Sequence, residues 1–381
     1  MEIREEKILR YLENHKEEIT EDLLCLVRAQ SPSHHKPACD RCAGEIARLF
    51  TDRVGAGVTF FPQKEDGDQI LLTIPGEDPE KNPVLVLCHY DTVWDIDALP
   101  IVREGDKLYG PGVFDMKGGI VLTLWAIRAL QQTGSPLPGP VWVFCNSDEE
   151  IGSHVSKDKI LELGGKSRAV LVAEPAEAVT GRLKTTRKGG AHYHIHIQGK
   201  AAHAGNDPKG GISAVEEMAR QILALHAMTD LSVGTSVNVG VVSGGTRANI
   251  IADQAEMEID VRYLTAAEGD RVEEKILALQ PQLPGAKLTI TGQRGMPPLE
   301  DTPENRALFE KARQAAQALD QQVEGSCVGG CSDGNLTSAL GIPTLDGLGA
   351  TGEGLHARHE HLYLNEYPNR IALFASLLLR V

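Results

Sequence analysis

Residues 84–93, VLVLCHYDTV, hold an unbroken apolar run that stops at a histidine and is followed two places later by an aspartate. A run without polar alternation is what a strand buried on both faces requires, as in a parallel sheet covered by helices. Its polar end then lies at the carboxyl edge of the sheet, where open α/β folds collect their ligands. There His89 can give one ring nitrogen to a metal, and Asp91 is spaced to accept a hydrogen bond from the other and fix the tautomer. Alone, the tripeptide reads as a strand ending in a polar turn. Its company argues otherwise. Asp115 sits in GPGVFDMKGG, Glu149 and Glu150 follow the apolar VWVFC, Glu174 follows AVLVA, and His356 lies in GEGLHARHE. Several apolar strands therefore end in side chains that can hold a metal.

The remaining chain sets the scale. With 381 residues and 41% hydrophobic content, two domains or more are expected. A net charge of -15 with no basic stripe argues against nucleic acid or an anionic membrane as partner. The N-terminal stretch is charged and lacks an apolar segment, and no apolar run reaches membrane-spanning length, so a soluble, cytoplasmic, unexported protein is expected. Seven cysteines, an odd number in mixed contexts, suit a reducing compartment better than a disulfide framework. Cys39 and Cys42 form one CxxC with no second pair at zinc-ribbon spacing, which leaves a structural role.

Read in order, two helical patterns carry Ile8, Leu12, Ile19, Leu23 and Val27 before SPSHHKP breaks the register; His34 and His35 in that break read as solvated. A helix over 43–50, strands over 69–74 and 84–88, a helix over 118–132 and strands over 141–145 and 169–173 alternate as in an α/β fold. After Pro175 the order becomes βαββαβ, with helices over 212–228 and 266–279: an inserted α+β domain at residues 180–293, flanked by a main domain of 1–179 and 294–381. His192, His194 and His196 share one strand face, a pattern open to metal but better explained as the polar side of a half-buried strand opposite Ala191, Tyr193, Ile195 and Ile197.

Taken together, the HxD strand, GxxDMKGG, the paired glutamates, the EP dipeptide, HAG at His203, GGTRANII, DVRY, GGCSD and the final HxxxE resemble the co-catalytic zinc exopeptidases and deacylases. That family includes glutamate carboxypeptidase of the G type, aminoacylase, acetylornithine deacetylase and succinyl-diaminopimelate desuccinylase. The resemblance implies a three-layer α/β metallohydrolase domain with an inserted lid and dimerisation domain. It implies His89, Asp115 and Glu174 on one metal and Asp115, Glu150 and His356 on the other, with Glu149 as general base and Asp91 behind His89. It further implies His203 as an oxyanion donor, Asn249 and Arg262 as substrate contacts, a cis peptide after Asp115, and a homodimer through the inserted domain in which His203 serves the neighbouring subunit.

The chemistry asks for such a set on its own terms. Two divalent ions close together need a shared carboxylate to offset their repulsion, and three protein ligands per ion leave a position for substrate. Zinc is the expected metal, with cobalt or manganese compatible with the same imidazole and carboxylate donors. If Glu149 and Glu150 are extended they point to opposite sides, which frees Glu149 to carry a proton. His359 and His361 are read as surface residues and Cys331 as packing. The expected substrate is a small peptide or N-acyl amino acid, hydrolysed at an amide as by a glutamate carboxypeptidase; the alternatives are an N-acyl amino acid deacylase and a non-catalytic binding protein on the same fold. One departure bears on substrate: where relatives place an arginine before proline, this chain has Met296 before Pro297, with Arg294 two places earlier.

Overall fold

The computed structural model describes residues 1–381, which divide into two compact units. The first comprises Met1–Thr185, Asp301–Val328 and Ser332–Val381; the second comprises Thr186–Glu300 and Gly329–Cys331. The second unit thus starts and ends a few residues later than the hydrophobic pattern suggests, and borrows a short piece of the GGCSD loop.

In the first unit, helices α1 (Ile3–Asn14), α2 (Lys16–Arg28) and α3 (Lys36–Val54) precede strands β1 (Gly57–Phe61), β2 (Gln69–Ile74) and β3 (Val84–His89). Helix α4 (Gly118–Gln132), strand β4 (Val141–Asn146), helix α5 (Lys157–Gly165) and strand β5 (Ala169–Val172) follow. The sheet order is β1, β2, β4, β3, β5 and a short strand Thr344–Leu345, with β3 parallel to both β4 and β5. All six residues of β3 are buried, as a central strand covered on both faces requires. One face carries Val84, Val86 and Cys88 into a core with α1 to α4, while Leu85 and Leu87 are buried on the other.

Helix α3 begins earlier than position 43. Pro37 falls in its first turn, where a missing N–H costs nothing, and the His35 ring accepts from the Ala38 N–H at 3.2 Å. His35 is exposed, as its place in the break suggests, and also caps the helix. Strand β1 and helix α5 give too weak a pattern to read from sequence: β1 is mostly exposed, and α5 buries only Ile160, Leu163 and Gly164.

The second unit contains an antiparallel sheet of β6 (Gly189–Gln198), β7 (Ser236–Gly244), β8 (Gln254–Tyr263) and β9 (Lys287–Arg294), ordered β7, β8, β6, β9. Helices α6 (Ala214–His226) and α7 (Ala266–Leu277) pack against Ala191, Tyr193, Ile195 and Ile197. His192, His194 and His196 take the opposite face of β6, where Asp260, Glu258 and Glu256 of β8 stand across from them. The chain then returns to the first unit through helices α8 (Pro303–Ala318), α9 (Gly334–Ala339) and α10 (Tyr367–Leu378). No helix is long and apolar enough to cross a membrane.

Candidate metal centre

Five segments of the first unit deliver the candidate ligands. His89 is the last residue of β3; Glu174 lies two residues beyond β5; Glu149 and Glu150 open a single 3-10 turn after β4; Asp115 occupies a tight turn that leads into α4; His356 sits between short strands Gly352–Glu353 and His361–Tyr363. Two glycines let the Asp115 turn approach the sheet. Gly112 has φ +69°, and a Cβ on Gly119 would lie 1.9 Å from the Ala173 carbonyl oxygen, so only glycine lets α4 start against the end of β5. The peptide bond between Asp115 and Met116 is cis.

These side chains converge as two groups that share one carboxylate. His89 Nε2 lies 3.2 Å from Asp115 Oδ1 and 3.3 Å from Glu174 Oε1. His356 Nε2 lies 3.4 Å from Asp115 Oδ2 and 3.0 Å from Glu150 Oε2. Within each group the ligand atoms are all within 4.8 Å of one another. A tetrahedral ion with bonds of about 2.0–2.1 Å to nitrogen and oxygen holds its ligands roughly 3.3 Å apart, so the donor sets fit two such ions. The charge balance agrees, because four carboxylates crowd two histidines here and a cation relieves their repulsion.

Protonation follows from this crowding. Burial alone would lower the His89 ring, but bonds to Asp115, Asp91 and Glu174 push it well above its ordinary value. Burial alone would raise Asp115, yet the His356 and His89 rings hold it below the usual carboxylate range. His356 is raised to about 10 by Asp115 and Glu150, against a smaller effect of burial. Burial pushes Glu149 well above the ordinary range; His89 opposes this, and Glu174, Asp333 and Glu150 add to it. The Glu149 carboxylate carries no hydrogen bond or ion pair from the chain, which leaves it available to a proton.

Asp91 is completely buried and organises two segments at once. Its Oδ1 accepts from the Glu149 N–H at 3.3 Å, and its Oδ2 from the Glu150 N–H at 3.2 Å and the Ser33 hydroxyl at 2.8 Å. His89 Nδ1 lies 3.1 Å from the Asp91 carbonyl oxygen and 3.4 Å from Oδ1, so the backbone shares the task of orienting the ring. The expectation that Glu149 and Glu150 are extended is corrected: the carboxylate of Asp91 gathers both N–H groups and curls them into a 3-10 turn. Asp333 supports the same region by accepting from Asn146 at 2.7 Å and from the Ser153 hydroxyl; burial raises it to about 7 despite those donors.

Sequence reasoning passed over Ser33, Asp333 and the reach of Glu360. Ser33 lies in the SPSHHKP break, whose Pro32 bridges Thr92 beside the metal strand, and nothing in its pattern signals that contact. Contrary to the surface reading, His361 is buried between Tyr109 and Tyr363, while His359 is exposed.

The other expected site residues lie in the second unit. His203 is exposed, and its Nδ1 accepts from the N–H groups of Gly205 and Asn206, each at 3.1 Å, which places the ring proton on Nε2. Asn249 precedes the short strand Ile250–Ile251. Arg262 is already engaged, donating from Nε and Nη2 to Asp260 at 3.0 and 2.9 Å, with Cys331 Sγ at 3.9 Å from Nη1. Arg294 pairs with Asp270 at 2.6 Å and Glu273 at 2.8 Å. Cys331 Sγ donates to the Lys188 carbonyl at 3.2 Å.

The model of peptidase family M20/M25/M40 matches residues 85–380 of this sequence. The chain belongs to that family. Carboxypeptidase G2 of Pseudomonas sp. (strain RS-16) is 31% identical over 325 residues, covering 82% of this chain and 77% of that one. An acetylornithine deacetylase of Myxococcus xanthus is 31% identical over 206 residues, covering 51% and 52%. Among solved structures, aminopeptidase PepT from Bacillus cereus superposes with TM-score 0.79 at 21% identity, over 95% of this chain and 98% of that one. These M20 relatives include metal-dependent peptidases and amidohydrolases, and the fold is the α/β architecture that the alternating strands imply.

Proposed function

We propose that this chain is a dinuclear metallohydrolase that cleaves an amide bond, releasing a C-terminal amino acid from a small peptide or an N-acyl amino acid. The observation that carries the reading is Asp115, whose two oxygens each face a separate histidine and carboxylate pair. His89, Asp115 and Glu174 would hold one ion, and Asp115, Glu150 and His356 the other, with zinc expected. Bound there, two divalent ions would polarise the substrate carbonyl and acidify a water. Glu149, unpaired and raised by burial, takes the water's proton and passes it to the leaving nitrogen. Asp91 holds His89 and the Glu149 turn in register. His203, with its proton on Nε2, is a donor suited to the oxygen on which negative charge develops. Arg262 pairs with Asp260 and Arg294 with Asp270 and Glu273, so neither guanidinium supports a glutamate-type preference, and an N-acyl amino acid deacylase stands as the second reading.

Metal analysis of the purified chain together with a panel of dipeptides and N-acyl amino acids tests both readings. Two ions per chain and turnover of peptides supports the exopeptidase, turnover of N-acyl amino acids alone supports the deacylase, and a fully loaded protein inert to the whole panel rejects amide hydrolysis. The exposed Val241 and Val242 on edge strand β7 and Leu223 on α6 support a dimer through the second unit.

A further inference from the structure

The Asp115 turn must hold one carboxylate so that both oxygens are presented; residues 113–117 are buried, and the N–H groups of Gly112, Phe114 and Asp115 find their acceptor outside the turn. Glu360, four residues beyond His356, is 2% exposed, yet it is a carboxylate. Its Oε1 accepts from the N–H groups of Phe114 at 3.0 Å and Asp115 at 3.1 Å. Its Oε2 accepts from the Gly112 N–H at 3.2 Å and from the Trp94 indole at 2.8 Å. Three of the four donors are consecutive or near-consecutive backbone groups of the turn that carries Asp115. The fourth comes from the loop that follows Asp91.

We infer that Glu360 is the positioning residue of the shared carboxylate: by gathering the N–H groups of residues 112, 114 and 115 on its two oxygens, it sets where Asp115 points. A buried carboxylate with four donors is a rigid anchor, since charge-assisted hydrogen bonds are roughly twice as strong as neutral ones. Because Glu360 and His356 lie on one short segment, the same anchor ties the His356 ligand to the Asp115 turn. Glutamine cannot substitute. An amide has one acceptor oxygen, so one pair of donors would meet an NH2 group instead. Either Asp115 and Phe114 or Gly112 and Trp94 lose their acceptor.

This inference rests on Asp115 serving two ions, and cobalt loading separates the two claims. The chain is stripped by chelation, titrated with Co(II), and followed by calorimetry, visible absorption and electron paramagnetic resonance. The wild type is expected to take two ions whose spins couple through the shared carboxylate. In folded Glu360→Gln, affinity is expected to fall about 10–100-fold, the loss typical when a partner behind a metal ligand is removed, and the coupled signal to weaken. If Glu360→Gln does not fold, Trp94→Phe carries the test, with a loss of affinity smaller than about 10-fold and a shifted cobalt spectrum expected from removing one of four donors. A wild type with one ion or an uncoupled pair overturns the shared-carboxylate reading and this inference with it. A coupled wild-type pair with unchanged affinity and spectrum in the folded variant overturns the assignment to Glu360 alone.

Discussion

At the scale of single residues, the carboxylates of the centre hold its two histidines in a protonation state that a metal would reverse. His356 is expected to be protonated in the metal-free protein at neutral pH, since Asp115 and Glu150 raise it to about 10. Metal binding needs neutral imidazole. Loading should therefore release protons, and the apparent affinity should fall as pH falls; calorimetry in buffers of different ionisation enthalpy measures the release, which His356→Ala should reduce. The sign for folding runs the other way: a histidine raised in the folded state stabilises the metal-free protein below its unfolded value of about 6.5, and that stabilisation is lost as pH rises through about 10. Glu149 is expected to behave differently, because it ligates nothing in either donor set. Glu149→Gln should retain both ions and lose a factor of about 100 or more in turnover. Activity within a few-fold of wild type, with metal content intact, would exclude it as the base.

At the scale of elements, the glycine at the head of α4 and one in the middle of α3 should respond oppositely to the same substitution. Gly44 is exposed in α3 with nothing near its missing Cβ, so Gly44→Ala should stabilise by about 0.5–1 kcal/mol through helix propensity. Gly119→Ala drives a methyl into the Ala173 carbonyl and should destabilise by about 1–3 kcal/mol, while separating Asp115 from Glu174. Urea midpoints of the two variants provide the comparison. Elements of this kind were largely legible: β3, β4 and β5 are apolar runs because both faces are buried, and the ligands follow at their ends because that edge is open. Helix α4 was legible to the residue for the same reason. The start of α3 was hidden because proline breaks a helix interior yet suits a first turn. The curl at Glu149 was hidden too, since the group that bends it, Asp91, lies 58 residues away in sequence. Ser33 and Glu360 were missed as partners for that reason, their contacts being made across folded distance by side chains with no local signature.

At the scale of the whole molecule, the chain separates a ligand-bearing unit from one that carries His203, Asn249 and Arg262 but none of the candidate metal ligands. If His203 serves a neighbouring subunit, a mixture of His203→Ala and Glu149→Ala chains should recover up to about a quarter of wild-type activity, because half the dimers are mixed and each holds one intact site. No recovery after proven subunit exchange, or a monomer in ultracentrifugation, would reject the shared arrangement. Metal should also raise the thermal midpoint, since ions bound by the native donor sets and not by the unfolded chain stabilise by mass action, and chelator should reverse the rise.

The two donor sets are not equally sheltered. The His89 side chain is 1% exposed and that of His356 54%, although both face the same aspartate. Water reaches one side of the pair directly and the other only past buried carboxylates, so the two positions should differ in lability. Stripping by a chelator should run in two phases, the His356 side first, and stopping between them would yield a half-filled protein. Refilling it with a second element would give a mixed pair of defined order, in which each position could be followed by its own spectrum.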